Sequence, residues 1–163
     1  MEKQRILIVD DESINRDILA NMFEGEQDAY EVIEAENGQE AVQQIENGRD
    51  IALILLDIVM PVMDGFTVLK YMEEKGLLNE IPVILIKGES IQDSEDRAYA
   101  FGVADVIHKP FYQHIVNRRS RNIIELYQNK RNMEIRLKEQ EKAIREQERE
   151  IRETNELMID ALR

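Results

Sequence analysis

Apolar residues fall in two rhythms along this chain. Up to about residue 112, short apolar runs alternate with stretches of helical period. Beyond that point single apolar residues recur every seven positions in a polar background. The runs occupy residues 5–10, 30–35, 51–57, 82–87 and 103–107. Unbroken apolar runs of this length fit strands buried on both faces of a parallel sheet. The run at 30–35 is more polar, which predicts a place nearer a sheet edge. Between the runs lie amphipathic helices. Ile14, Ile18, Leu19, Met22 and Phe23 follow Ser13 as the expected N-cap, with Gly25 as the expected stop. Ala41, Val42 and Ile45 lie between the Asn37-Gly38 turn and Asn47-Gly48. Phe66, Val68, Leu69 and Met72 follow Pro61 and Gly65. A fourth helix is expected around 92–101, after a Gly88-Glu89-Ser90 loop and before Gly102.

Five strand–helix alternations mean parallel βαβ units with right-handed crossovers and helices on both faces. The expected fold is therefore α/β: a five-stranded, parallel, doubly wound domain of flavodoxin-like order 2-1-3-4-5. Ligands of such folds gather beyond the carboxyl ends of the strands. There this sequence puts Asp10, Asp11, Asp57, Lys87 and Lys109.

From Phe111 onward there is no Gly and no Pro, and Glu, Arg, Lys and Gln dominate. These residues favour helix, and Glu134/Lys138, Glu141/Arg145 and Glu148/Arg152 have the supportive i,i+4 order. Leu137, Ile144, Ile151 and Met158 repeat every seven residues, with Ile123 in the same register. Their companion positions begin with Leu126 and Met133 but continue as Gln140, Gln147 and Thr154. A helix of about 50 residues reaches roughly 75 Å, beyond a small domain. The seam predicts a coiled coil with a second copy, hence a homodimer. The polar companion layer makes that coil weak or adjustable. The plainer reading is a single solvated helix. The expected division is a domain over 1–120 and a helical linker over 121–163.

Composition narrows the function. Residues 1–112 carry 9 Lys/Arg against 24 Asp/Glu, a net −15, whereas residues 113–163 carry 12 against 10, a net +2. The acidic domain argues against direct nucleic-acid binding, which needs a basic face, and is compatible with a divalent cation. A solvated acidic surface accounts for most of this charge. There is no cysteine, no apolar run near the roughly 20 residues of a membrane span, and Glu2, Asp10 and Asp11 interrupt any signal-peptide pattern. These point to a soluble cytoplasmic protein with no membrane partner.

Asp57 ends the most apolar run of the chain, and an acid there does not serve packing. Three converging acids, Asp10, Asp11 and Asp57, raise one another's pKa unless a cation neutralises them. Hard oxygen ligands of this kind suit Mg²⁺. Lys109 adds a point charge able to hold a phosphoryl oxygen. A carboxylate nucleophile, a cation and a lysine make a phosphoryl-transfer site, with Asp57 as acceptor. Singly, Asp11 reads as a helix cap and Lys109 as surface. The joint pattern is what carries the assignment.

That pattern resembles the receiver domain of bacterial two-component response regulators. The matching residues are Ile6 to Glu12, Leu56 to Gly65, and Lys109-Pro110-Phe111, within a span of about 3–120. The resemblance implies that Asp57 is phosphorylated by a sensor histidine kinase or phosphotransfer protein. It implies a Mg²⁺ site of Asp11, Asp57 and the Val59 backbone carbonyl, with Asp10 orienting through water, and Lys109 on the phosphoryl group. Two positions depart from the family. Lys87 stands where Thr or Ser usually ends strand four, and Val106 where Tyr or Phe usually lies in strand five. Acceptor chemistry is retained, but the usual hydroxyl–aromatic switch is absent. Three placements of Lys87 stay open: a second cation on the phosphoryl group, a partner of unphosphorylated Asp57, or solvent. Val59, two residues after the acceptor, cannot position an attacking water, so slow autodephosphorylation is expected, with Glu89 as the other local influence.

The tail resembles helical linkers between receivers and output domains. Residues 155–163 are similar to the lead-in to HD-type cyclic-dinucleotide phosphodiesterase domains, and the helix ends without a cap, so a missing output domain is expected. The receiver itself is expected to be no enzyme. A contrasting expectation is a non-switching pseudo-receiver, a constitutive dimeric interaction module. An Asp-nucleophile phosphatase of the haloacid-dehalogenase kind wants a second Asp where Val59 stands. Nucleotide and flavin binders are disfavoured because no GxGxxG or P-loop is present. No recognisable DNA-binding module follows the receiver within these residues.

Overall fold

The computed structural model describes residues 3–23, 30–47, 50–88 and 94–163. Gly25, Gly48, Glu89 and Ser90, and the start of the helix expected from 92, lie outside the described residues.

Each apolar run is a strand: β1 (Arg5–Val9), β2 (Glu31–Ala35), β3 (Ile51–Asp57), β4 (Val83–Lys87) and β5 (Asp105–His108). Helices α1 (Ser13–Asn21), α2 (Gly38–Glu46), α3 (Gly65–Glu74) and α4 (Ser94–Phe101) alternate with them, and α5 (Gln113–Ala161) follows. All strand pairs are parallel, and the order is β2-β1-β3-β4-β5. The more polar β2 is indeed an edge strand, while all seven residues of β3 are buried at the centre.

Strand alternation sorts the core into two layers. Leu7, Val9, Ile54, Leu56, Val83, Leu85 and Val106 pack with Val68, Leu69 and Met72 of α3 and Ala98 of α4. Ile6, Ile8, Leu53, Leu55, Ile84, Ile86 and Ile107 pack with Leu19 of α1 and Val116 and Ile124 of α5. Each such side chain contributes about 1.5–3 kcal/mol by leaving water.

Two local expectations are corrected, and one element is added. Ser13 is the first helical residue of α1 and not its cap. Glu12 holds the cap position with no side-chain capping bond, and its amide donates to Asp10 Oδ1 at 2.9 Å. Strand β5 starts at Asp105, two residues late, since Gly102 turns the chain at φ 103° and pairing with β4 begins at Ile84↔Asp105. A short 3-10 turn, Leu77–Asn79, closes the α3–β4 connection and buries Leu78.

The chain divides into two compact units, Met1–Tyr127 and Gln128–Arg163. The second is helical to Ala161, and every residue from 129 to 163 is exposed. Its seam residues Leu137, Ile144, Ile151 and Met158 are 54–59 % exposed. The pair Glu141–Arg145 forms at 3.6 Å, and Arg149–Glu153 at 3.9 Å. In the first unit Ile123 is half-buried against the core, so the heptad register does not extend back to it as a free seam. No described helix is long and apolar enough to cross a membrane.

Candidate functional site

The carboxyl edge of the sheet gathers the predicted charges. Asp10 follows β1 and Asp57 ends β3, and both are buried, at 1 % and 4 % exposure. One carboxylate oxygen from each of Asp10, Asp11 and Asp57 lies within 4.8 Å of the others, with Asp11 exposed. Lys109, the residue after the end of the β5 ladder at His108, lies at the same sheet edge. Its Nζ lies 3.3 Å from Asp57 Oδ2 and 3.7 Å from Asp10 Oδ2. Its amide donates to the Lys87 carbonyl at 2.8 Å, which fixes its approach.

One lysine does not balance these acids. Burial first, then Asp10, pushes the Asp57 carboxyl from 3.8 up to about 6, against the opposing pull of Lys109. Burial pulls Lys109 down, but Asp57 and Asp10 outweigh it and hold its pKa above the ordinary 10.5. Asp10 Oδ2 is buried and, among the described residues, accepts no hydrogen bond beside its 3.7 Å ion pair to Lys109. A buried oxygen in that state is what a bound cation or its water would satisfy, so the donor set fits a hard divalent ion.

The loop after Asp57 is pinned by two close approaches. A Cβ on Gly65 would stand 2.5 Å from the Asp57 carbonyl oxygen, and one on Gly38 would stand 2.6 Å from that of Met63. The Gly65 amide donates to the Ile58 carbonyl at 2.8 Å, and the Gly38 amide to the Met63 carbonyl at 3.0 Å. Asp64 caps α3 by accepting from the Thr67 amide at 2.8 Å. Between them Val62 sits at φ 69°, with its side chain exposed. The Val59 side chain is exposed.

Family-model comparison matches residues 6–119 to the response regulator receiver domain. The chain belongs to that family. Receiver domains are signalling modules. A two-component response regulator of rice, Oryza sativa, is 28 % identical over 113 residues, 69 % of this chain and 83 % of the relative. A Vibrio cholerae protein described as a "probable cyclic di-GMP phosphodiesterase" is 33 % identical over 128 residues, and the match spans 28 % of its length. Among solved structures, a CheY-like receiver domain protein from Methanospirillum hungatei superposes with TM-score 0.68 at 23 % identity, over 78 % of this chain and 99 % of that one. NtrX from Brucella abortus superposes with TM-score 0.69 at 28 % identity, over 82 % and 29 %.

The two departures from the family pattern are placed as follows. Val106 is buried in the core beside Leu85 and Ala98. Lys87 is 7 % exposed, so the solvent placement is corrected. Its Nζ lies 3.4 Å from Ser94 Oγ and 3.9 Å from Glu95 Oε1, both on α4. The described ion pair of Asp57 is with Lys109.

Sequence reading missed Arg16. Its guanidinium donates to the Asp10 carbonyl at 2.8 Å and lies 3.3 Å from Glu34 and 3.6 Å from Glu36. It thereby ties α1 to the ends of β1 and β2. Ser94, Glu95 and His108 were missed as well. Their only signal in the sequence is polarity, because the β4–β5 register and the docking of α4 bring them together.

Proposed function

We propose that this receiver accepts a phosphoryl group on Asp57 from a sensor histidine kinase or phosphotransfer protein. An Asp57 oxygen attacks the phosphorus of a phosphorylated imidazole; the O–P bond forms, the P–N bond breaks, and the imidazole leaves with a proton. Lys109 steadies the acceptor and then a phosphoryl oxygen. Asp10, Asp11, Asp57 and the Val59 carbonyl would hold Mg²⁺. When bound, that ion offsets negative charge on the transferring group. The product carries nearly two added charges. The signal leaves through α5, whose exposed seam pairs with a second copy and leads toward an output domain.

The observation that carries this reading is the buried Asp57 with Lys109 at 3.3 Å and Asp10 and Asp11 beside it. Intact-mass measurement after acetyl phosphate and Mg²⁺ tests it. Wild type should gain one phosphoryl mass and Asp57→Ala none; equal gain in both would overturn the assignment. A second reading, a constitutive dimeric pseudo-receiver, is favoured by Lys87 and Val106. On that reading beryllofluoride with Mg²⁺ leaves amide exchange and dimerisation unchanged.

A further inference from the structure

Lys87 is a buried ammonium at the end of β4. A buried charge persists only with partners. Its partners on α4, Ser94 at 3.4 Å and Glu95 at 3.9 Å, both lie in the helix's first turn. Ser94 is itself buried, at 3 % exposure. The Glu95 carboxylate also contacts His108 Nε2, on the β5 residue in register with Lys87. One acid therefore joins the ends of β4 and β5 to the start of α4.

Lys87 also adjoins the acceptor. Asp57 is in register with Ile86, the residue before Lys87. With strands about 4.8 Å apart and a rise of about 3.3 Å per residue, the two Cα atoms stand roughly 6 Å apart. A flexible four-carbon stem can serve either direction.

We propose that Lys87 reads the state of Asp57 by exchanging partners. Before phosphorylation its ammonium holds Ser94 and Glu95 of α4. Afterwards it moves onto the phosphoryl oxygens, and the first turn of α4 is released. The exchange rests on the reading of Asp57 as phosphoacceptor, and it moves no proton and breaks no bond. Charge sets its direction. A phosphoryl group brings nearly two negative charges into a buried corner, against the single charge of Glu95. The Glu95 contact is long and its side chain is 41 % exposed, so water screens that hold. Glu95 also loses little, since it keeps His108 and lies in the first turn of α4, where the helix dipole favours an anion. Lys109 cannot take this part while it serves both Asp57 and Asp10. The result is a charge-based readout at Lys87, one of the two positions where the hydroxyl–aromatic pair is missing.

Hydrogen exchange of the full chain, followed over residues 94–101 with and without acetyl phosphate and Mg²⁺, tests the exchange, with intact mass read on the same samples. Phosphorylated wild type should exchange these amides about tenfold faster, the factor that one charge-assisted hydrogen bond governs. Ser94→Ala, which removes the hydrogen bond to Lys87, should show the fast rate before the phosphodonor is added, change little afterwards, and still gain one phosphoryl mass. Lys87→Met should likewise show the fast rate in both states. A full phosphoryl mass with unchanged α4 exchange in wild type overturns the partner exchange and leaves Asp57 as acceptor. So does a Ser94→Ala chain that behaves as wild type. No mass gain in wild type overturns both.

Discussion

At the scale of single residues the site is a balance of burial against charge, and Asp57 carries its consequence. Its folded pKa of about 6 exceeds its ordinary 3.8. A raised acid is the reverse of the usual carboxylate case. Below the lower value both states are protonated and nothing is lost. As pH rises through the interval the unfolded chain ionises first, so stability falls, and above about 6 the full cost remains. At 1.36 kcal/mol per unit that cost is at most about 3 kcal/mol. Without Mg²⁺, Asp57→Asn should therefore be more stable than wild type by about 1–2 kcal/mol near neutral pH, with the gain vanishing below about pH 4. Urea titrations across that range check it, and a gain independent of pH would contradict the burial argument. Gly65 is a steric counterpart. A Cβ 2.5 Å from the Asp57 carbonyl and 3.0 Å from Ile58 Cα must displace backbone. Gly65→Ala should cost about 2–3 kcal/mol, lowering the urea midpoint by about 1–2 M and slowing phosphorylation. Asp10, Asp11, Asp57 and Lys109 were legible because each lies next to an apolar run. Arg16, Glu95 and His108 were not, because their partners are set by register and helix docking, which no local pattern encodes.

At the scale of elements, apolar runs of five to seven residues identified all five strands, and the polarity of β2 placed it at an edge. What escaped was local: Glu12, whose amide bonds Asp10, holds the α1 cap position in place of Ser13, and the Gly102 turn delays β5. The seven-residue seam was equally legible, and in residues 128–163 its apolar members are exposed. Its flanks specify orientation. In a parallel, in-register pair Arg136 faces Glu141 of the second copy, an attraction, whereas antiparallel pairing sets Glu134, Glu141 and Glu148 against one another. The chain has no native cysteine, so a single one reports geometry cleanly. Ile144→Cys should oxidise to a covalent dimer at micromolar protein, since equivalent seam positions meet only in the parallel form. Arg145→Cys, on the outer face, should not. Equal cross-linking of both would count against the seam.

At the scale of the whole molecule the question is whether the acceptor and the seam share one equilibrium. Helix α5 contributes Val116 and Ile124 to the core and is helical to Ala161. Coupling requires an element with two arrangements whose equilibrium both sites bias. Coupling is reciprocal. If beryllofluoride and Mg²⁺, standing in for the phosphoryl group, tighten the dimer, the dimer must bind them more tightly than the monomer does. With two equivalent sites, a change of about a hundredfold in the dimerisation constant corresponds to about tenfold per site. The oxidised Ile144→Cys dimer and a seam-broken Leu137→Asn, Ile144→Asn monomer supply the two states. Titrating each with beryllofluoride in Mg²⁺ should show the locked dimer tighter by the square root of the dimerisation effect measured on wild type. A violated square-root relation would mean that the ligand acts on association outside α5. Equal affinities, with dimerisation indifferent to the ligand, would leave a receiver whose acceptor chemistry is intact and whose helix pairs regardless of it. Lys87 would then have no α5 readout, and its effect would end at α4.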